Sequence, residues 1–241
     1  MLNSLIHIRD LKPIFKKNRE VEREQLVNFI KQKTGLESST YLINKLLKDE
    51  IIHRTGYGKY ALKEKKDDYM PELNAKEKEI YQLIKLKKSL LDVCIWRTSI
   101  VNEFSLHQPG IFSIIVEVEK VGVDAVFNLL RDNFENVYVK PSREVLDNYV
   151  SYQQDAIVVI PLISESPLIN VDEVRTISLE KLLVDLVSEN KLYEAFQGAE
   201  LTYIFQEALS KYTFSKTKLL RYANRRGIKE QLEKKILSLL S

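Results

Sequence analysis

Cysteine is almost missing: Cys94 is the single one in 241 residues. One thiol closes no disulfide within the chain and builds no Cys-rich zinc module, so both kinds of staple are excluded. Long apolar runs are also missing, and none approaches the roughly 18–20 residues that a spanning helix needs. The opening MLNSLIHIRD carries charge early and has no apolar core of signal length. These absences predict no membrane partner and a reducing, cytoplasmic home. Catalytic signatures are absent too. There is no Walker loop, dinucleotide fingerprint or nucleophile elbow. His7, His53 and His107 stand far apart and form no paired metal motif. The expectation is no cofactor, no metal ligand, no catalytic residue and no enzyme.

What remains is a globular composition, 44% hydrophobic and 29% charged. The length suits one large domain or two ordinary ones. The net charge of +3 conceals a strong division. Residues 1–66 carry 15 basic against 8 acidic side chains, residues 67–210 carry 13 against 24, and residues 211–241 carry 9 against 2. A basic head and a basic tail bracket an acidic middle. This permits a polyanion at the ends and a basic partner in the middle. Uneven solvation is the plainer alternative.

Residues 2–18 have roughly helical apolar spacing, which Pro13 has to bend or restart. VEREQLVNFIKQKTG follows, with Val21, Leu26, Phe29 and Ile30 apolar and Gly35 as the stop. A third helix is expected over residues 39–49, capped by Ser38 or Ser39, with Tyr41, Leu42, Ile43, Leu46 and Leu47 as its apolar positions. A Gly-rich hairpin, IIHRTGYGKYAL, spans the wing at residues 52–61. Three helices and a hairpin predict a winged helix-turn-helix over residues 1–66. A slender exposed helix fits the major groove of double-stranded DNA, and Arg54 and Lys59 can meet flanking phosphates. The candidate DNA-binding residues are Ser39, Thr40, Asn44, Lys45, Lys48, Arg54, Tyr57 and Lys59. Residues 67–77 are charged, contain Pro71 and read as a linker.

Residues 78–241 alternate helical and strand patterns, which argues for an α/β domain around one sheet. Asn74 opens a helix. Strands are expected over residues 90–96, 111–118, 136–140 and 156–160, the last closed by Pro161. The second is nearly continuous in apolar residues, as a strand buried on both faces would be. Thr98 or Ser99 is expected to cap a short helix. From about residue 178 the texture is helical, with Gly198 a candidate close-packing point. The fold class is therefore α+β or mixed α/β, with a helical C-terminal part. Lys218, Arg221, Arg225 and Arg226 form a possible second basic contact, and a solvated helix face is the plainer reading. Asp185, inside an apolar helix, is either exposed or paired with a C-terminal arginine, and the pair is the expectation.

A nuclease metal site needs an acid, then an acid-x-Lys motif on a neighbouring strand. Asp92 and Glu117-Val118-Glu119-Lys120 come near it, but two residues separate Glu117 from Lys120. The register fails.

The stretches IIHRTGYGKYAL, CIWRTSIVNEFSLHQPG, IIVEVEK, PLISESPL, SLEKLLVDL, AFQGAEL and LLRYANRRG, in this order, resemble the AbiEi-type antitoxins of type IV toxin–antitoxin (abortive infection) systems. Those proteins are described as predicted transcriptional regulators of bacterial viral defence. A closer likeness is to an uncharacterised bacterial family of the same plan. The resemblance implies a transcriptional autorepressor and antitoxin that binds its operator and counters a nucleotidyltransferase-like toxin. It carries over no catalytic residue. A protein-interaction module without DNA binding is the alternative, with a metal-dependent nuclease behind it.

Overall fold

The computed structural model describes residues 8–15, 20–35, 39–49, 51–63, 66–189 and 191–240. The chain divides into two compact units, Met1–Lys66 and Asp67–Ser241. Its class is mixed α/β, with several helices and sheets.

The first unit runs α1 (Ile8–Phe15), β1 (Val21–Glu22), α2 (Arg23–Thr34), α3 (Ser39–Lys48), β2 (Ile52–Gly56) and β3 (Lys59–Leu62). The strands form an antiparallel sheet in the order β1-β3-β2. Val21 is not helical as expected; it pairs with Tyr60 in the sheet and is buried there. Its β-branched side chain suits that role. The Glu22 amide donates to Gln25 Oε1 at 3.1 Å, which gives α2 a defined start. Helix α1 continues through Pro13 as far as Phe15, the last residue described there. Leu11, Leu26, Ile30, Ile43, Leu46, Ile52 and Tyr60 form a core drawn from most of these elements. The expected cap at Ser38, the position of His7 and the start of the first helix lie outside the described residues.

The second unit begins with residues that read as a linker and are not one. Tyr69 is buried against Phe104 and Tyr212, and the Thr213 amide donates to the Asp67 carbonyl at 2.9 Å. One buried aromatic ring outweighs the charged residues beside it. The chain continues through α4 (Ala75–Lys87), β4 (Val93–Arg97), β5 (Ser113–Val118), α5 (Val123–Arg131), β6 (Val137–Val139), α6 (Arg143–Asn148) and β7 (Ala156–Pro161). It then passes through the hairpin β8 (Leu168–Val171) and β9 (Val174–Ile177). The described part closes with α7 (Leu179–Ser188), α8 (Ala199–Lys211), α9 (Lys216–Arg225) and α10 (Lys229–Leu240). The Asn74 side chain caps α4 by accepting from the Glu77 amide at 3.0 Å.

The main sheet has the order β4-β5-β7-β6, with β4 antiparallel to β5 and the rest parallel. Strand β5 is buried on both faces. Ile114, Val116 and Val118 join Ile80 and Ile84 of α4 and Val126 and Leu130 of α5. Ile115, on the other face, joins Leu182, Phe205, Leu219 and Ile236 of the C-terminal helices. Strand residues alternate faces, so Glu117 is carried to the same side as Ile115, beneath those helices.

Two local expectations give way and a third shifts by one residue. Thr98 caps no helix; its hydroxyl instead accepts from the Ser113 amide at 3.0 Å and ties a 3-10 turn to β5. Pro161 closes β7 from inside it, as the last residue of a strand one residue longer than expected, at a position that needs no ladder donor. Gly198 is no close-packing point, since a side chain there would meet nothing within 4 Å. Its φ of 68° and ψ of −131° at the start of α8 are what require glycine.

Candidate functional site

In α3 the sequence separates two faces by helical spacing. Leu42, Ile43 and Leu46 turn inward. Thr40, Tyr41, Asn44 and Lys48 are exposed and Lys45 is half-buried at their edge. Tyr41 thus stands with the polar residues rather than with the apolar ones. The Ser39 side chain lies outside the described ones. After Ile52 the hairpin carries Arg54 and Tyr57 in solvent, with Tyr57 fully exposed at the tip. Lys59 is half-exposed, with Glu22 at a loose 3.9 Å. Lys45, Lys48 and Arg54 have no ion-pair partner among the described residues.

Arg23 connects the helix to the hairpin. Its amide donates to the Gly58 carbonyl at the hairpin tip at 2.7 Å, and its Nη2 donates to Thr40 Oγ1 at 3.2 Å. The first turn of α3 and the hairpin tip therefore lie within one arginine's length of each other. The surface holds unpaired cations, a hydrogen-bonding amide and two exposed phenols, a mixture able to meet phosphates and base edges.

The second basic group is differently disposed. Arg221 and Arg225 both reach Glu165, the first at 3.8 Å, and those pairs hold the Glu165 carboxyl below its usual range. Arg226 leaves that face and turns inward, donating from Nε to Ser188 Oγ at 2.8 Å and from Nη2 to Glu189. Lys218 is exposed.

Asp92 and Glu117 do not meet as a metal site would require. Asp92 pairs with Arg175 at 2.6 Å on the surface, while Glu117 is buried. Glu119 Oε1 accepts from the Asp92 amide at 2.8 Å. No group of three or more His, Cys, Asp or Glu side chains among the described residues is set to hold a metal ion.

Glu117 instead belongs to an ionic network that the sequence reading met only in part. Lys181 Nζ donates to Glu117 Oε2 at 2.8 Å, to Asp185, and to the Tyr222 hydroxyl at 3.3 Å. Tyr222 donates to Asp185 Oδ1 at 2.9 Å, Trp96 Nε1 to Glu117 Oε1 at 3.1 Å, and Arg226 stands 3.6 Å from Asp185. The expected partnership of Asp185 with a C-terminal arginine is present, but the closer cation is Lys181, four residues earlier on α7. Burial pushes the Glu117 carboxyl up, and Lys181 only partly offsets this. Burial works against the Lys181 charge, yet Asp185 and Glu117 carry its pKa well above the ordinary lysine value. The spacing Lys181-x-x-x-Asp185 was the available signal; its link to Glu117 depends on tertiary packing.

The chain belongs to a family of unknown function (DUF6577), matching it over residues 39–241. That stretch contains α3, the hairpin and the whole second unit. No curated protein matches the chain.

Proposed function

We propose that this protein is a DNA-binding transcriptional regulator whose first unit is a winged helix-turn-helix. Helix α3 is the groove-reading helix and β2–β3 the wing. The element order α1-β1-α2-α3-β2-β3, with β1 completing the sheet beside β3, supports this plan. The observation that carries the reading is Arg23, which joins the wing tip to the start of α3, while Lys45, Lys48 and Arg54 have no ion-pair partner among the described residues. Thr40 and Asn44 then face base edges, and Lys45, Lys48, Arg54 and Lys59 face phosphates. The likeness to AbiEi-type antitoxins extends the proposal: autorepression of an operon, and antitoxin action against a nucleotidyltransferase-like toxin encoded beside it.

A binding assay with DNA from upstream of the gene tests this. Reversing charge in the Lys45→Glu/Lys48→Glu double variant is expected to weaken binding by about tenfold or more, the two contacts acting on phosphate rather than sequence. Circular dichroism should stay unchanged, because neither side chain belongs to the core. Unchanged affinity would remove α3 from the interface. A second reading has the exposed Tyr41 and Tyr57 as anchors for a protein partner, since tyrosine is enriched in such contacts. Under it, DNA affinity is absent from the start and Tyr57→Ala abolishes partner capture.

A further inference from the structure

Two adjoining cavities in the second unit have no role in DNA reading. One, of about 430 Å³, opens at the carboxyl ends of the parallel strands, with Glu117 of β5, Ile160 and Pro161 of β7 and Lys140 just past β6 on its walls. The other, of about 370 Å³, reaches the start of β5 at Ser113. Leu146, Lys191, Leu192 and Tyr193 line both, so the two are lobes of one cleft. Each lobe lies in the size range of small-ligand sites, and the carboxyl edge of parallel strands is where open α/β sheets take ligands.

The lobes differ in chemistry. On the floor of the first, Lys181 and Arg226 already neutralise Glu117 and Asp185. Arg226 also pairs with Glu189, which lines the same lobe. At the mouth Lys140 and Lys191 are exposed and have no ion-pair partner among the described residues, and Lys140 is held at a φ of 41°. A non-glycine residue pays to adopt that conformation, and such strain gathers at ligand clamps. The second lobe has apolar walls at Leu146, Val150 and Phe196, and is also lined by Asp147 and Glu194, both of which pair with Arg143. Tyr193, only 2% exposed, lines both lobes.

We infer that this cleft binds a mononucleotide, with its phosphate at Lys140 and Lys191 and its ring in the apolar lobe beside Tyr193. An inorganic anion would leave the apolar lobe unused. An uncharged ring would leave the lysines unanswered. The inference does not rest on the DNA-reading role of the first unit.

Calorimetric titration of the full chain with AMP, GMP, CMP and UMP, the matching nucleosides, and inorganic phosphate tests it. At least one nucleotide is expected to bind one to one at sub-millimolar concentration. Removing either the phosphate or the ring should weaken binding by about tenfold or more, a step of one decade in Kd. The Lys140→Ala/Lys191→Ala double variant should weaken the nucleotide by about tenfold or more as well, since each lysine is a point contact to phosphate. Its thermal midpoint should not move, because both side chains are exposed. Three results would each overturn the inference: no nucleotide binding at millimolar concentration, phosphate alone binding as tightly as the nucleotide, or a double variant that binds like the parent.

Discussion

Lys181 is 1% exposed at its side chain and holds two buried carboxylates, Glu117 and Asp185, on one ammonium. A buried ion pair adds little over a well-packed apolar pair, but breaking one from a single side is expensive. Lys181→Met should therefore cost about 3–5 kcal/mol, read from the urea midpoint, because Glu117 loses its only close cation among the described residues and Asp185 keeps only Arg226, at 3.6 Å. Adding Glu117→Gln and Asp185→Asn should recover part of that loss, and a cost below about 1 kcal/mol would contradict this account of the network. The same residue sets an alkaline limit. Its amine binds the proton more tightly in the folded chain than in the unfolded one. The network's contribution is thus complete below about pH 10.4 and lost as pH climbs through the raised folded value. Tyr212, pushed up to about 12 chiefly by burial and then by Glu103, acts with the same sign between its unfolded value and that pH. Melting temperatures should stay level from neutral pH to about pH 10 and fall beyond it. A steady decline beginning near neutrality would point to other groups.

At the scale of elements, Gly198 is the clearest single test. Its backbone lies where only glycine is at ease, and nothing crowds its missing side chain. Gly198→Ala should cost roughly 1–3 kcal/mol from backbone strain alone. A neutral effect in thermal unfolding would show that the turn before α8 relaxes freely. Most helices and the central strands were legible in the sequence, since they rest on apolar periodicity and on a cap such as Asn74, whereas the capping roles of Ser178 and Ser215 emerge only in the fold. The β8–β9 hairpin was not legible. Its turn uses Asp172 and Glu173 at φ 47° and 65°, without the glycine or asparagine that normally marks two left-handed residues. Strand β1 is two residues long, too short to show a period. Residues 67–77 read as linker because their charge is local and visible, whereas the burial of Tyr69 depends on Phe104 and Tyr212, distant in sequence. In the candidate site, the exposed stripe of α3 was legible from spacing. The Arg23 bridge and the Glu117–Lys181 pair were not, because each joins residues that only the fold brings together.

Over the whole molecule, positive charge is concentrated in residues 1–66 and 211–241, and residues 67–210 carry 24 acids against 13 bases. Such a distribution steers a polyanion toward particular segments rather than toward the whole surface. At the C-terminal end, Arg221, Arg225 and Arg226 are already engaged with Glu165, Glu189 and Asp185. In the first unit Lys45, Lys48 and Arg54 have no ion-pair partner among the described residues, so under the proposed function it is the part expected to dominate nucleic-acid affinity. Neutralising Arg221 and Arg225 together should change DNA affinity less than neutralising Lys45 and Lys48, by competition binding at fixed salt. The most direct test of the central claim is the affinity of the full chain for its upstream DNA, measured across a range of salt. Cationic side chains seated on phosphates predict a linear log–log fall with a slope of about −0.9 per phosphate, made shallower by about one for each of Lys45, Lys48 and Arg54 neutralised. A flat response, or a slope untouched by those three substitutions, would contradict it.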